Sequence, residues 1–289
     1  MVLADLVEAV GELGEERWTP LLPGLGLVRS PAPYGIEAMV YEPLVCLILQ
    51  GEKEATVGTR HHRVVAGQAI VVSHAQPVLA RVTVASPDAP YLSLVAPLDL
   101  ALLRSLDLEL GDRIEAGGPG SAFLVQALDD ATLAVLERFV SLVHDPTDAR
   151  VLGPLVRREL HYRLLCGRHG AMLRSLVQRS SHASNIAKAI ETLRESYRER
   201  LEMDAVARSV GMSASSFYKQ FKAVTSTTPL QYQKDLRLTE ARRLLQSGRY
   251  SVSTAAFEVG YESPSQFSRE YSRRFGAPPR EELGRVAAR

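Results

Sequence analysis

VGYESPSQFSREYSRRFGAPP, residues 259–279, combines a glycine turn, a helix with a marked beginning and a glycine-proline stop. On a 3.6-residue wheel Phe267, Tyr271 and Phe275, with Arg274 beside them, form an i, i+4, i+8 stripe that must face a core. Ser265, Arg269, Ser272 and Arg273 fall on the opposite side, with Gln266 on the flank. Local chemistry sets the start. Ser263 caps, Pro264 suits a first helical position whose N–H would be unpaired anyway, and Gln266 is placed to complete a Ser-x-x-Gln capping box. The first two turns then present Ser265, Gln266 and Arg269.

The same pattern occurs earlier in the chain. Phe217, Phe221 and Pro229 recur as Phe267, Tyr271 and Pro279 at an offset of 50, and VARSVGM ending at Met212 matches AAFEVGY ending at Tyr261 at an offset of 49. One residue was gained in the turn. A repeat of a short helix, a glycine turn and a longer helix is the outline of two helix-turn-helix units, at about 203–224 and 252–275. In the first copy Ser213 caps, Phe217, Phe221 and Val224 face inward, and Ser215, Lys219 and Lys222 face outward, with Tyr218 and Ser216 on the flanks. Between the copies, TPLQYQKDLRLTEARRLLQ starts on Thr228-Pro229, with Gln231 placed for a second capping box. Its helix of about 17 residues spans roughly 25 Å. With the helix widths added, such a rod could hold two outward faces near the roughly 34 Å that separates successive major grooves.

Arginine pairs with guanine O6/N7 and glutamine with adenine N6/N7, each good contact giving about 1–3 kcal/mol of discrimination. One polar helix face is ordinarily just solvated, but two in duplicated units of a basic module point to groove reading. The charge split agrees: residues 1–180 hold 16 Lys/Arg against 21 Asp/Glu, and residues 181–289 hold 18 against 12. A basic module attached to an acidic one is expected where only the former meets a polyanion. Phosphate contacts are expected from Lys222, Arg242, Arg273 and Arg280.

The 289 residues suffice for about two domains, and 46% hydrophobic with 23% charged residues is an ordinary globular composition. Cys46 and Cys166 form no CxxC, which suggests neither a disulfide framework nor a thiolate metal site and fits a reducing cytosol. The acidic start MVLADLVEAVGELGEE is unlike a signal peptide, and runs such as PLVCLIL fall far short of the roughly 20 residues that cross a bilayer. A cytoplasmic protein with no membrane contact is expected. From Ile36 to Leu94, short β segments broken by Gly, Pro and Asp suggest a small antiparallel sandwich or barrel at about 36–95. Amphipathic helices follow at about 97–178, among them 129–143 and 151–167, with a Gly/Pro loop at 111–123. QRSSHAS, 178–184, is a boundary between domains 1–178 and 184–283, and Ser184 is placed to cap the next helix.

His61 and His62 are neighbours and point to opposite faces of a strand, so they cannot both enter one barrel interior as an alternating His-x-His pair would; His74 is a third candidate, but no Glu sits at a helpful distance downstream of the pair. No phosphate loop, GxSxG elbow or HExxH is present, and no catalytic residue, metal or cofactor is assigned. The alternative is a cupin-type metalloenzyme or small-molecule binder with a helical appendage. Bound metal would favour it, whereas specific, salt-sensitive DNA binding would favour a regulator.

From Ile186 to Glu282, and most of all in VGMSASSFYKQFKAVTSTTPLQYQKDLRLTEARRLL and VGYESPSQFSREYSRRFGAPP, the chain resembles the DNA-binding domain of the AraC/XylS transcription regulators. The resemblance implies a seven-helix domain that binds promoter DNA, an activator more often than a repressor, and RNA polymerase as a partner. By position it carries base contacts to Ser215, Tyr218 and Lys219 and to Ser265, Gln266 and Arg269. Ser215 is smaller than the group some relatives carry there, so the first helix would read fewer bases. YEPLVCLILQGEKEATVG, AGQAIVVS, PYLSLVAPLDL and RELHYRLLCG resemble the cupin-like barrel that precedes this domain in one subfamily. That likeness implies an α+β protein with a barrel for a small-molecule effector, and helices that pair in a homodimer. The candidates for that contact are 129–143 and 151–167.

Overall fold

A computed structural model describes residues 2–14, 16–111, 120–168, 170–178 and 181–287. Much of the expected loop at 111–123 lies outside them, as do residues 179 and 180 of the expected boundary at 178–184 and His169. Helix α1 (Val2–Gly11) precedes nine strands: β1 (Trp18–Leu22), β2 (Leu25–Ser30), β3 (Glu37–Tyr41), β4 (Leu44–Gln50), β5 (Glu52–Val57), β6 (Arg60–Val65), β7 (Gln68–Val72), β8 (Gln76–Val84) and β9 (Tyr91–Pro97). After helix α2 (Leu100–Leu110) comes β10 (Phe123–Ala127), followed by α3 (Asp130–Ser141), α4 (Pro146–Cys166) and α5 (Gly170–Val177).

The strands form two antiparallel sheets rather than a closed barrel: a six-stranded one ordered β1-β2-β9-β4-β7-β10 and a four-stranded one ordered β3-β8-β5-β6. The physical reason is visible in β4. Val45, Leu47 and Leu49 belong to a core shared with α1 to α5, whereas Cys46 and Ile48 belong to the core between the sheets. Both faces of the large sheet are buried, so the molecule is built as layers of helix, sheet and sheet, and PLVCLIL reads as continuous rather than alternating. Strand β5 is different. It alternates, with Lys53, Ala55 and Val57 buried and Glu52, Glu54 and Thr56 less so. The sheets extend beyond the expected 36–95: β1 and β2 lie before it in a stretch disguised by Pro and Gly, and β10 lies among the helices.

Helices start where a side chain can take the first free N–H groups. Asp99 accepts from Ala101 and Leu102, Asp129 from Thr132, and Asp145 from Thr147 and Asp148 with Pro146 following it. That last signal begins α4 five residues before the expected Val151. Helix α6 (His182–Glu195) is capped by Ser181, whose Oγ accepts from the Ser184 N–H at 2.9 Å, so Ser184 lies inside the first turn instead of capping it.

Six further helices follow: α7 (Met203–Ser209), α8 (Ala214–Thr225), α9 (Pro229–Gln246), α10 (Val252–Glu258), α11 (Pro264–Phe275) and α12 (Arg280–Ala287). The duplicated units are α7 with α8 and α10 with α11. Helix α9 joins them as a shared wall. Its Tyr232 and Leu236 enter the first unit's core with Phe217 and Phe221, and its Leu238, Ala241, Leu244 and Leu245 enter the second's with Phe267, Tyr271 and Phe275.

The sandwich is docked on this helical part. Tyr232 donates its hydroxyl to the Ala75 carbonyl at 2.7 Å, and the Ala122 N–H donates to the Val224 carbonyl at 2.8 Å. His74, buried, sits at the same joint: its Nε2 is 2.9 Å from the Ala183 carbonyl and its Nδ1 2.7 Å from Ser73 Oγ. A carbonyl only accepts, so Nε2 carries the proton and Nδ1 accepts from the hydroxyl. Burial outweighs the Ala183 hydrogen bond and pushes the imidazole pKa from 6.5 to about 4. The unfolded chain therefore binds a proton that the folded one refuses between those values, and stability present above pH 6.5 is lost as pH falls towards 4. Between pH 7 and 4.5 this single group is expected to cost about 2–3 kcal/mol. Thermal melts check it: the wild type should lose more stability over that interval than His74→Gln, and equal losses would show that His74 does not titrate in this way.

Candidate nucleic-acid interface

Helices α8 and α11 are built alike. Ser213 Oγ accepts from the Ser216 N–H and Ser263 Oγ from the Gln266 N–H, each at 3.3 Å. The second half of the expected capping box is not made. The Gln266 amide N–H donates to Glu270 at 3.2 Å and the Gln231 amide N–H to Asp235 at 3.0 Å, so each side chain turns towards a carboxylate one turn on instead of back to accept the capping residue's N–H. Inside, edge-on and tilted rings lock both helices. Phe217 and Phe221 stand 5.5 Å apart and Phe221 meets Tyr232 at 5.4 Å; Phe267 meets Tyr271 at 5.4 Å and Tyr271 meets Phe275 at 4.5 Å.

Outside, Ser215, Tyr218, Lys219 and Lys222 on α8 and Ser265, Gln266, Arg269 and Arg273 on α11 are all exposed. Among the described residues Lys219, Lys222, Arg269 and Arg273 take part in no ion pair. Tyr218 and Gln266, one from each helix, border a single cleft of about 820 Å³ floored by Leu230, Gln233, Lys234 and Arg237 of α9. Arg273 lies elsewhere, in a groove of about 420 Å³ with Gly58 of the β5–β6 turn and Thr227. Ser272, expected on the wet side, is half-buried and donates to the Ser268 carbonyl at 2.8 Å.

Glu270 organises the α11 end of the cleft, accepting from Lys234 at 3.0 Å, Tyr261 at 2.8 Å and Gln266. Burial works against its charge, but the three donors outweigh that and hold the carboxyl below its usual range. Gln266 is thereby oriented, with its carbonyl oxygen and second N–H left for an incoming edge. Arg237 was invisible in the sequence because a cation in a helix reads as solvated. Its guanidinium donates to the carbonyls of Tyr197 at 2.6 Å, Gly260 at 2.9 Å, Arg198 at 3.1 Å and Glu199 at 2.8 Å, tying α9 to the second unit's turn.

Arg242 is not a phosphate contact. It is 5% exposed, paired with buried Glu282 at 2.8 Å and stacked on Phe275 at 4.8 Å. The sequence did not reveal this because α12 supplies the carboxylate from outside the repeat. Arg280 is exposed. The histidines stay apart: His61 meets Thr56 Oγ1 at 2.9 Å, and the His62 ring lies 5.0 Å from Phe123. Among the described residues no three His, Cys, Asp or Glu are gathered as for a metal, and no helix is long and apolar enough to cross a membrane.

Of the two helices expected to pair with a second copy, α3 spends Val135, Leu136, Phe139 and Val140 on the core. Helix α4 leaves Val151, Leu155 and Tyr162 exposed at 58%, 61% and 39%. At strand β3 the sandwich meets the helical part. Met39 and Tyr41 border a cavity of about 550 Å³ between the sheets. Ala38 packs on the second unit's core and Val40 on the first's, and Glu42, just beyond the strand, pairs with Arg194 of α6.

Residues 21–172 match the family described as AraC-type transcriptional regulator N-terminus, and residues 206–285 match a helix-turn-helix domain family. The HTH-type transcriptional activator RhaS of Escherichia fergusonii is 26% identical over 156 residues, covering 53% of this chain and 55% of RhaS. RhaS of Escherichia coli is 31% identical over 99 residues, 34% of this chain and 36% of its own. The chain thus spans about half, or less, of the length of these curated relatives. Among solved structures, unsaturated fatty acid bound wild-type ToxT from Vibrio cholerae strain SCE256 superposes with a TM-score of 0.54 at 11% identity, covering 90% of this chain and 93% of that one. ToxT from Vibrio cholerae O395 gives 0.53 at 12% identity, with 91% and 97% covered. At such identity the likeness is one of fold.

Proposed function

The chain belongs to the AraC-type transcriptional regulators, and on that premise we propose that it is a cytoplasmic, sequence-specific DNA-binding activator that responds to a small molecule. One observation carries the reading: two duplicated helices stand on either side of one cleft, bordered by Tyr218 of the first and Gln266 of the second, and each leaves its outward cation, Lys219 and Arg269, exposed. Ser215, Tyr218 and Lys219 would read base edges in one major groove and Ser265, Gln266 and Arg269 in the next, while Lys222, Arg273 and Arg280 hold phosphates. Bound at a promoter, such a protein acts on RNA polymerase, and transcription from an occupied promoter with purified polymerase reads that step.

Selection from randomised duplexes followed by gel shift at two salt concentrations tests the reading. Specific, salt-sensitive binding is expected, and retention of no preferred sequence would sink it. Arg269→Ala should then lose about 1–3 kcal/mol and relax preference at one base pair. Equal weakening on every sequence would make Arg269 a phosphate contact. The exposed row on α4 supports a homodimer, which the same titration checks as two chains per site.

Strand β3 supports a route for the effector signal. An occupant that displaces Met39 or Tyr41 moves the strand whose Ala38 and Val40 pack on both reading units. Ligand-dependent change in the DNA footprint checks that route.

A further inference from the structure

The β5–β6 hairpin ends against the reading helices. Its tip is Gly58, at φ +57°, where a Cβ would stand 2.7 Å from the Ser226 carbonyl oxygen. Ser226, itself left-handed at φ 61°, closes α8 and lies about one turn beyond Lys222 on the outward row of Ser215, Lys219 and Lys222. Gly58 and Thr59 also wall the groove that holds Arg273, the last of the outward row of Ser265, Arg269 and Arg273 on α11. The sandwich therefore reaches the C-terminal end of both rows.

Beyond that tip the charge is one-sided. No carboxylate occurs between Glu54 and Asp88, whereas Arg60, Arg63 and Arg81 do. Arg63 pairs with Glu52 and Arg81 with Glu54. Arg60, opposite Val57 beside the tip, is exposed and among the described residues takes part in no ion pair. Exposed His61 follows it, and with Nδ1 2.9 Å from Thr56 Oγ1 its ring leaves Nε2 for a partner outside. The acids of the adjoining groove are already engaged: Asp235 faces Arg274 at 3.5 Å and the Gln231 amide, and Glu270 holds Lys234. A single exposed arginine is ordinarily just solvated. Arg60 differs by its place, continuous with Arg273 and without an acid of its own.

We propose that the β5–β6 hairpin is a third DNA contact, in which Arg60 and His61 hold the sugar–phosphate backbone that flanks the bases read by α8 and α11. The inference rests on the reading of those helices as the DNA interface and adds the sandwich to it. Phosphate is the partner because the hairpin stands at the helices' C-terminal ends, whereas base edges are met by their first turns.

Gel shift of the full chain on its selected duplex, across a series of salt concentrations, tests this. Arg60→Gln should weaken binding about threefold or more, equally on every sequence, and lower the slope of log affinity against log salt by about 1. Arg60→Lys should keep most of both. Arg104→Gln removes the same charge from an exposed position of α2, on the helix-covered face of the large sheet, and should change neither. Ethylation of phosphates just outside the two grooves read by α8 and α11 should interfere with the wild type and not with Arg60→Gln. An unchanged slope or tighter binding in Arg60→Gln, or an equal loss in Arg104→Gln, would overturn the hairpin contact and leave the two helices as the interface. A wild type with no preferred sequence would overturn both.

Discussion

Phe267→Ala is expected to destabilise the second helix-turn-helix unit by about 3–5 kcal/mol, the usual cost of removing a fully buried ring. Phe267 has no exposed surface and touches Tyr261 at 5.3 Å as well as Tyr271, so its loss leaves a cavity between the turn and the helix it orients. The first unit's core is separate, with Phe217 and Phe221 packed on α6 and the opposite end of α9. Hydrogen exchange should therefore show lost protection in α10 and α11 and retained protection in α8. On DNA the footprint should shrink by one half-site even though Arg269 is intact. Uniform loss of protection along α6–α12 would mean that the two cores unfold as one.

Gly260→Ala is expected to be as damaging, while Gly211→Ala, its counterpart in the repeat, should be mild. Both glycines have positive φ, +85° and +72°, so alanine at either is strained by roughly 1–2 kcal/mol. The surroundings separate them. A Cβ on Gly260 would stand 2.0 Å from the Arg198 carbonyl oxygen, whereas one on Gly211 meets nothing within 4 Å. The obstacle is backbone, held by the Arg237 guanidinium, and moving it would disturb the joint between α9 and the turn. Urea unfolding should place Gly260→Ala at least about 2 kcal/mol below Gly211→Ala. Equal costs would show that the 198–199 segment yields freely.

VGM and VGY look alike as sequence, which is why this asymmetry could not be read from them. The duplicated units themselves were legible, because each is specified within a few residues: Ser213 and Ser263 bind the N–H three positions on, and the aromatic stripes follow the pitch of one helix. The same locality exposed Ser215, Tyr218, Lys219, Lys222, Ser265, Gln266, Arg269 and Arg273 as outward residues. Where two partners competed for one side chain, as the capping N–H and the Glu270 carboxylate did for Gln266, composition could not say which would win.

Periodicity, caps and duplication, all set by neighbours along the chain, are enough to read a β-rich acidic part followed by a basic pair of helix-turn-helix units. Burial of charge and the closing of sheets depend on which distant element comes to lie above a residue. Arg242 becomes internal when α12 brings Glu282 over it. Lys53 becomes internal because the opposite sheet covers that face of β5, with Tyr41 of β3 reaching its ammonium from within the same sheet. Such contacts join residues far apart in the chain, where the spacing of side chains along one helix or strand carries no information about what will face it.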